Sequence, residues 1–328
     1  MHALRHREFG EILGEAWELT KRTVPTAGLL LLLIYMPLML AVAFLTDSII
    51  SGFSGIAALQ KIEMEGGTVD PDMAMGLMMP FFRMMFVIAP MSLLYQLLQP
   101  FGQTAATLVS WETLTGNDLS FGEMIRRTFN RSFWYVVAQG FVLGAVVALS
   151  SGALGFLALI AGIATFGIGA LVVYMGYYVL IIYAMVAIAF RIHLIVVEGR
   201  GPWQGLIASI ALVKNSWWRV FGVLFVIGVI TAILVMPVLI PQIISLVSSL
   251  STLPPPRQGE NDPEFLMALS TLLGQALSPW TFVAFGLIIP AIHLFSINAL
   301  TLLYTDLRAR RGDFEEHIEP ARGDYPGL

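Results

Sequence analysis

Residues 131–191 read RSFWYVVAQGFVLGAVVALSSGALGFLALIAGIATFGIGALVVYMGYYVLIIYAMVAIAFR, and between Arg131 and Arg191 stand 59 residues without one charged side chain. A bilayer core of about 30 Å is crossed by roughly 20 apolar residues in a helix. The run therefore holds two spans, 133–161 and 168–190, and leaves only the Gly-rich stretch 162–169 for a tight turn. Working outward, four more segments of the same kind lie at 24–46, 84–109, 217–245 and 279–304. The predicted fold is all-α: one polytopic membrane domain over residues 1–311, with six transmembrane helices in three hairpins and a short tail at 312–328.

Composition agrees. The 328 residues are 57% apolar and only 12% charged, where a soluble domain carries about 25% charged residues. The chain has no Cys, which removes disulfides, thiolate metal sites and thiol catalysis together. Its five His residues, His2, His6, His193, His293 and His317, show no spacing that sets two ligands on one helical face. No metal or cofactor is expected. Without a basic tail or domain, no nucleic-acid partner is expected either. The N-terminus mixes Glu with Arg, unlike a cleaved signal peptide, so the first span is expected to stay in the protein.

Fifteen of the eighteen Lys and Arg residues fall on one side of the predicted spans, and only Lys61, Arg83 and Arg257 on the other. The positive-inside rule then puts both termini in the cytoplasm and the long loops 47–79 and 246–278 outside. A cytoplasmic amphipathic helix is expected before each hairpin. The first sets Phe9, Ile12, Ala16 and Leu19 on one face and Glu8, Glu11, Glu15 and Glu18 beside it; the second covers 119–133 and the third 202–218. Outside, the Leu-Pro-Pro-Pro string at 253–256 reads as stiff and extended. Phe265, Leu269, Leu272 and Ala276 read as a further helix on the outer leaflet.

The second span carries one polar stripe, Ser92, Gln96, Gln99, Gln103, Thr107 and Ser110, at helical spacing. Two readings stand: hydrogen bonding between helices, or a neutral lining for a lipid headgroup or small solute. Pro80, Pro90 and Pro100 beside it would free backbone carbonyls for such a lining. Gly140, Gly144, Ala148 and Gly152 in the third span form a small-residue register suited to close helix packing. In the sixth span His293, Ser296, Asn298 and Thr301 make a looser polar patch, with His293 the one ionisable group near a span centre.

No Asp or Glu falls within a span core, which disfavours ion-coupled transport. Neither phosphate-loop motif occurs. The Glu stripe at 8–18 reads as a solvated face, with Lys21 and Arg22 close enough to pair with Glu18, rather than a metal site. Two cytoplasmic clusters, Arg126-Arg127-Arg131 and Arg308-Arg310-Arg311, are candidates for contact with anionic lipid, which supplies about 1 kcal/mol per cation near the surface. Gly52-Phe53-Ser54-Gly55 has the form of the Gly-x-Ser-Gly motif of rhomboid proteases. It stands at the end of span one, not within the fourth, and span two has no His.

The run AFRIHLIVVEGRGPWQGLIASIALVKNSWWRVFGVL from Ala189 resembles the characteristic segment of the glycerophosphoryl diester phosphodiesterase membrane-domain family and related six-span membrane proteins. The matching positions are Arg191, Glu198 and Gly199 of a Val-Glu-Gly string, Ser209, and the aromatic pair Trp217 and Trp218. The sixth span closes on Tyr304, Asp306 and Arg308, like that family's Tyr-x-Asp-Leu-Arg ending, and the opening FGEILGEAWELTKR is similar too. The resemblance implies a membrane domain of bacterial or archaeal type, in the inner membrane, without the soluble phosphodiesterase that accompanies it in fused relatives. Its activity does not transfer, because the metal-binding His and Glu of that enzyme have no counterpart here. Glu198 is expected to pair with Arg191 or Arg200 or to stand near the helix from Pro202, and Asp306 with Arg308 or Arg310. The leading expectation is a non-enzymatic membrane protein that binds, organises or moves lipid or a lipid-linked polar compound. Its alternatives are an accessory subunit of a larger membrane complex and, remotely, an intramembrane hydrolase using Ser54 and His293.

Overall fold

The uncharged run folds as two long helices, α5 (Arg131–Ala164) and α6 (Ile168–Ala187), in a computed structural model that describes residues 5–64, 70–165, 167–250 and 278–312. Asn130 starts α5 by accepting the backbone N–H groups of Ser132 and Phe133 at 2.8 and 3.3 Å, which satisfies two donors the helix cannot. Gly167, at φ +94°, starts α6 in a conformation that side chains with a Cβ rarely adopt. The two helices pack along each other, with the Tyr177 hydroxyl against Ser151 at 2.6 Å and Ser150 at 3.3 Å. Gly140, Gly144, Ala148 and Gly152 lie on an exposed face of α5, and a Cβ built on any of the three glycines would meet nothing within 4 Å, so no described helix of this chain packs on the register.

The remaining elements are α1 (Phe9–Thr23), α2 (Leu29–Met64), α3 (Pro71–Thr115), α4 (Phe121–Thr128), α7 (Arg191–Val196), α8 (Pro202–Val213), α9 (Trp217–Leu250) and α10 (Pro279–Arg311). Among the described residues there is no strand. Six helical stretches are long and apolar enough to cross a membrane: Phe9–Gly52, Pro71–Thr115, Arg131–Ile163, Ile168–Val196, Trp217–Ser248 and Pro279–Arg311. The expected spans fall inside them.

Local boundaries differ from the sequence reading where short polar signals intervene. α1 does not stop before the first span but runs into α2 through a π-helical turn, Val24–Gly28, whose Pro25 has no N–H to give to the ladder. α4 is shorter than 119–133, because Ser120 and Asn130 cap separate helices on either side of Phe129. The Ser120 hydroxyl and N–H hold the Glu123 carboxyl below the usual carboxylate range, at 2.7 and 3.1 Å. α8 ends at Val213 instead of continuing to Trp218, and the fourth span is followed by the short helix α7.

The chain divides into two compact units, the first made of Met1–Leu30, Gln99–Gly228 and His293–Leu328, the second of Leu31–Leu98 and Val229–Ile292. The second unit contains an edge-on Tyr35–Tyr95 pair with ring centroids 5.9 Å apart, and Gln242 donating to Thr281 at 2.7 Å. The first unit has an apolar core built from Ile12, Ala16 and Leu19 of α1 with Phe190, Leu194, Leu212, Val220, Leu303 and Tyr304. Within it α8 lies against α7 at Gly205, where a Cβ would stand 2.9 Å from Ile195 Cγ1 and 3.4 Å from the Arg191 carbonyl oxygen. Gly205→Val is expected to destabilise the protein by about 1–3 kcal/mol through this overpacking, read as a lower unfolding midpoint in detergent. Gly222→Ala, whose Cβ meets only the Phe9 ring edge at 3.4 Å, is the control. Arg257, Arg322, His2, His317, the 253–256 string and the helix expected over 265–276 lie outside the described residues, as does the tail from 313 onward.

Candidate functional site

The first unit is organised around a break between α6 and α7. Backbone at Ile188 to Phe190 leaves the α ladder, and Ser209 of α8 serves both severed ends: its hydroxyl donates to the Ala187 carbonyl at 3.0 Å and accepts the Phe190 N–H at 3.1 Å. Ser209 is fully buried. Ser209→Ala is expected to cost about 1–3 kcal/mol, the desolvation penalty of polar groups left unpaired, measurable as accelerated hydrogen exchange at Phe190. At the other end of α7 the chain turns at Gly199, with φ +67°, and the Arg200 N–H returns to the Leu194 carbonyl at 3.2 Å. That turn sets Glu198 facing the end of α10.

Glu198 is closed by three donors. Tyr304 Oη and Arg308 Nη2 both donate to its Oε1, and Arg200 Nε donates to Oε2 at 2.6 Å. The Tyr304 ring is itself enclosed, stacked on His193 at 5.7 Å and edge-on to Trp111 at 6.5 Å, and the Arg308 guanidinium lies 5.8 Å from its centroid. His193 Nε2 is 3.0 Å from the Thr301 hydroxyl.

A second carboxylate, Asp306, gathers the N-terminal arm and α9. Its Oδ1 accepts the backbone N–H of Arg7 at 2.8 Å, Arg219 Nε donates to Oδ2 at 2.9 Å, and Arg310 Nε donates to both oxygens at 3.1 and 3.0 Å. Arg219 and Arg310 also donate to the Arg7 carbonyl, at 2.5 and 3.2 Å. The Arg7 side chain is buried, donating to Glu15 at 2.7 Å and to the Thr305 hydroxyl at 3.0 Å, and Arg5 pairs with Glu15 from the outside. Two carboxylates thus tie together the first turns of α1, the α7–α8 turn, the start of α9 and the end of α10.

The expected polar positions have different fates. Ser92 and Gln96 are exposed, and the Ser92 hydroxyl donates to its own helix at Ala89. Gln99 and Gln103 are half-buried, while Thr107 and Ser110 are buried. Ser110 donates to Asn298 Oδ1, and Asn298 Nδ2 donates to Thr20 and Thr23 at 2.9 and 3.0 Å. Asn298 therefore holds α1, α3 and α10 together rather than facing an opening. His293 is half-buried, whereas His193 is the buried histidine. Two concavities stand out. One of about 420 Å³ lies between α5 and α6 beside Gly155, Gly162 and Tyr174, and one of about 780 Å³ lies at the α8–α9 junction. None of the Gln stripe, His293 or Asn298 lines either.

The arginine clusters also divide. Arg308, expected at an anionic-lipid surface, is instead buried on Glu198; Arg310 pairs with Asp306 and stays partly exposed. Arg311 donates to the last carbonyls of α8, Ala211 and Leu212, where a cation also opposes the helix dipole. Arg127 pairs with Glu112 at 3.3 Å, Arg131 is exposed over the Tyr135 ring at 5.1 Å, and Arg126 is exposed. Among the described residues no group of three His, Cys, Asp or Glu side chains gathers as metal ligands.

Residues 66–291 match the family described as Domain of unknown function (DUF7847), a stretch of more than half the chain. The chain belongs to the DUF7847 family. No curated protein and no solved structure matches it. The DUF7847 match takes in Glu198, Ser209, Arg219 and Trp217, whereas Arg7, Glu15, Tyr304, Asp306 and Arg308 lie beyond its ends. Arg7, Glu15 and Arg219 of this DUF7847 protein are the site residues that sequence reasoning missed. Only the topological signal of Arg219, a cation directly after the Trp217-Trp218 pair, could have pointed to any of them.

Proposed function

We propose that this protein is a non-enzymatic, multi-pass protein of a prokaryotic inner membrane, with both termini cytoplasmic, that binds, organises or moves lipid or a lipid-linked polar compound. The observation that carries the reading is where the charge goes. Apart from Lys61 and Arg83, every described Lys and Arg belongs to the first unit. There the two buried carboxylates are already saturated by arginines and a tyrosine. Within the helices the Asn298 amide is engaged with Ser110, Thr20 and Thr23, and His193 Nε2 with Thr301. The Ser54 hydroxyl of the hydrolase reading donates back to the Ile50 carbonyl of its own helix at 2.9 Å. Partly exposed cations at one end of apolar helices are suited to acidic headgroups. The resemblance of 189–224 and 302–311 to the phosphodiesterase membrane domain, and the view of α1, α4 and α8 as interfacial helices before three hairpins, belong to the same proposal.

The test is purification in mild detergent followed by native mass spectrometry, with a lipid-movement assay in vesicles. Retained phospholipid is expected; a chain that keeps no lipid and moves none overturns the reading. A second reading, an accessory subunit, is favoured by the open small-residue face of α5, which lets a partner helix approach closely. Crosslinking from Ala148→Cys that returns only this chain argues against it.

A further inference from the structure

We infer that the 780 Å³ cleft at the α8–α9 junction is a binding site for a phosphate group, an inference that rests on the lipid reading only for the source of that phosphate. The cleft is lined by Lys214, Arg219 and Arg310 on its charged side and by Tyr183, Trp217 and Trp218 on its aromatic side, with no Asp or Glu among the described lining residues. Asp306 stands behind Arg219 and Arg310 and is itself fully buried, so one carboxylate is shared by two guanidinium groups that remain partly exposed, at 26% and 40%. Lys214 is exposed at the rim. The cleft therefore carries an excess of positive charge held in place from behind.

Its donors suit a tetrahedral oxyanion. Arg219 and Arg310 spend their Nε atoms on Asp306 and one terminal nitrogen each on the Arg7 carbonyl, which fixes both planar forks. A fixed guanidinium matches phosphate geometry in a way a mobile ammonium does not. The Trp217 ring lines the cleft, and its indole N–H has no acceptor among the described residues. That ring is stacked between Tyr183 at 5.7 Å and Phe221 at 5.1 Å. The site also adjoins the first turn of α9, where the helix dipole favours an anion although the N–H groups of Arg219 and Val220 are spent on the Ser216 carbonyl. A volume of this size exceeds a bare phosphate and admits a small headgroup, and tryptophans at the start of a span belong to the membrane interface.

Binding to the full chain in dodecyl maltoside is measured by tryptophan fluorescence and calorimetry, with dihexanoylphosphatidylglycerol and with inorganic phosphate as separate probes. Lys214→Ala and Trp218→Ala are the variants, since both side chains are exposed and neither joins the ion-pair network. Saturable binding of the phosphatidylglycerol, about fivefold weaker in Lys214→Ala as expected for one interfacial cation, supports the site with lipid as its source. Inorganic phosphate that binds with the same dependence on Lys214 supports the site with a soluble source, even where no lipid binds and the lipid reading falls. Lipid bound equally well by wild type, Lys214→Ala and Lys214→Glu overturns the site while leaving the lipid reading standing. Binding of neither probe overturns the site, and the lipid reading falls with it only where the purified chain also retains and moves no lipid.

Discussion

Asp306→Ala is expected to destabilise the protein by about 3–5 kcal/mol, the loss typical when one partner of a buried ion pair is removed. The carboxylate is fully buried and accepts from three groups: the Arg7 backbone N–H, Arg219 and Arg310. Its removal leaves two guanidinium groups that converge on the Arg7 carbonyl facing one another without a counter-charge. The N-terminal arm, held to α10 through Arg7 and Thr305, loses one of its anchors at the same time. Asp306→Asn keeps an acceptor for the Arg7 N–H and loses only the charge, so it is expected to fall between wild type and Asp306→Ala. Pairing Asp306→Ala with Arg310→Ala relieves the repulsion and is expected to recover part of the loss, a non-additivity that unfolding in mixed detergent and SDS reads directly. Equal midpoints for Asp306→Ala and wild type would remove Asp306 from its place as the keystone of this end of the molecule.

How far the sequence reached depends on the range of the signal. Six spans were legible because each needs only that about twenty neighbouring residues be apolar, and all six expected ranges lie within the helical stretches long enough to cross. The breaks were less legible. Lys214-Asn215-Ser216 ends α8, and nothing in the helical periodicity of 202–218 announces it. Glu198 and Asp306 were both expected to pair locally, and one local partner of each is found, Arg200 and Arg310. Their remaining partners come from 87 to 299 residues away in sequence, through Arg219, Arg7, Tyr304 and Arg308, and periodicity carries no information over such distances. The polar stripe divides, with Ser110 at one end hydrogen-bonded across helices to Asn298. Helical spacing put Ser92 and Ser110 on one face, but only the end beyond Gln103 is covered by other helices, so a single face does not share a single environment. The glycine register of α5 shows the converse: small residues permit close packing without requiring it.

Glu198→Ala is expected to cost at least as much as the loss of Asp306, because the cation it strands is more deeply enclosed. The Arg308 side chain is 5% exposed and the Glu198 side chain 2%, and in such surroundings an arginine cannot shed its charge. Removal of the carboxylate therefore leaves a guanidinium and the Tyr304 hydroxyl buried beside one another, again about 3–5 kcal/mol. Three variants separate the contributions. Tyr304→Phe removes one charge-assisted donor but leaves Glu198 with both arginines, so a loss of about 1.5–3 kcal/mol is expected. Arg308→Met leaves the carboxylate with Tyr304 and the partly exposed Arg200, which can still compensate it. Glu198→Ala combined with Arg308→Met replaces a broken pair by apolar groups and is expected to be more stable than Glu198→Ala alone, since a buried pair exchanged for well-packed apolar side chains is often close to neutral. If the double variant is instead no better than Glu198→Ala, the energy resides in the Tyr304 hydrogen bond and its aromatic surround, not in the ion pair.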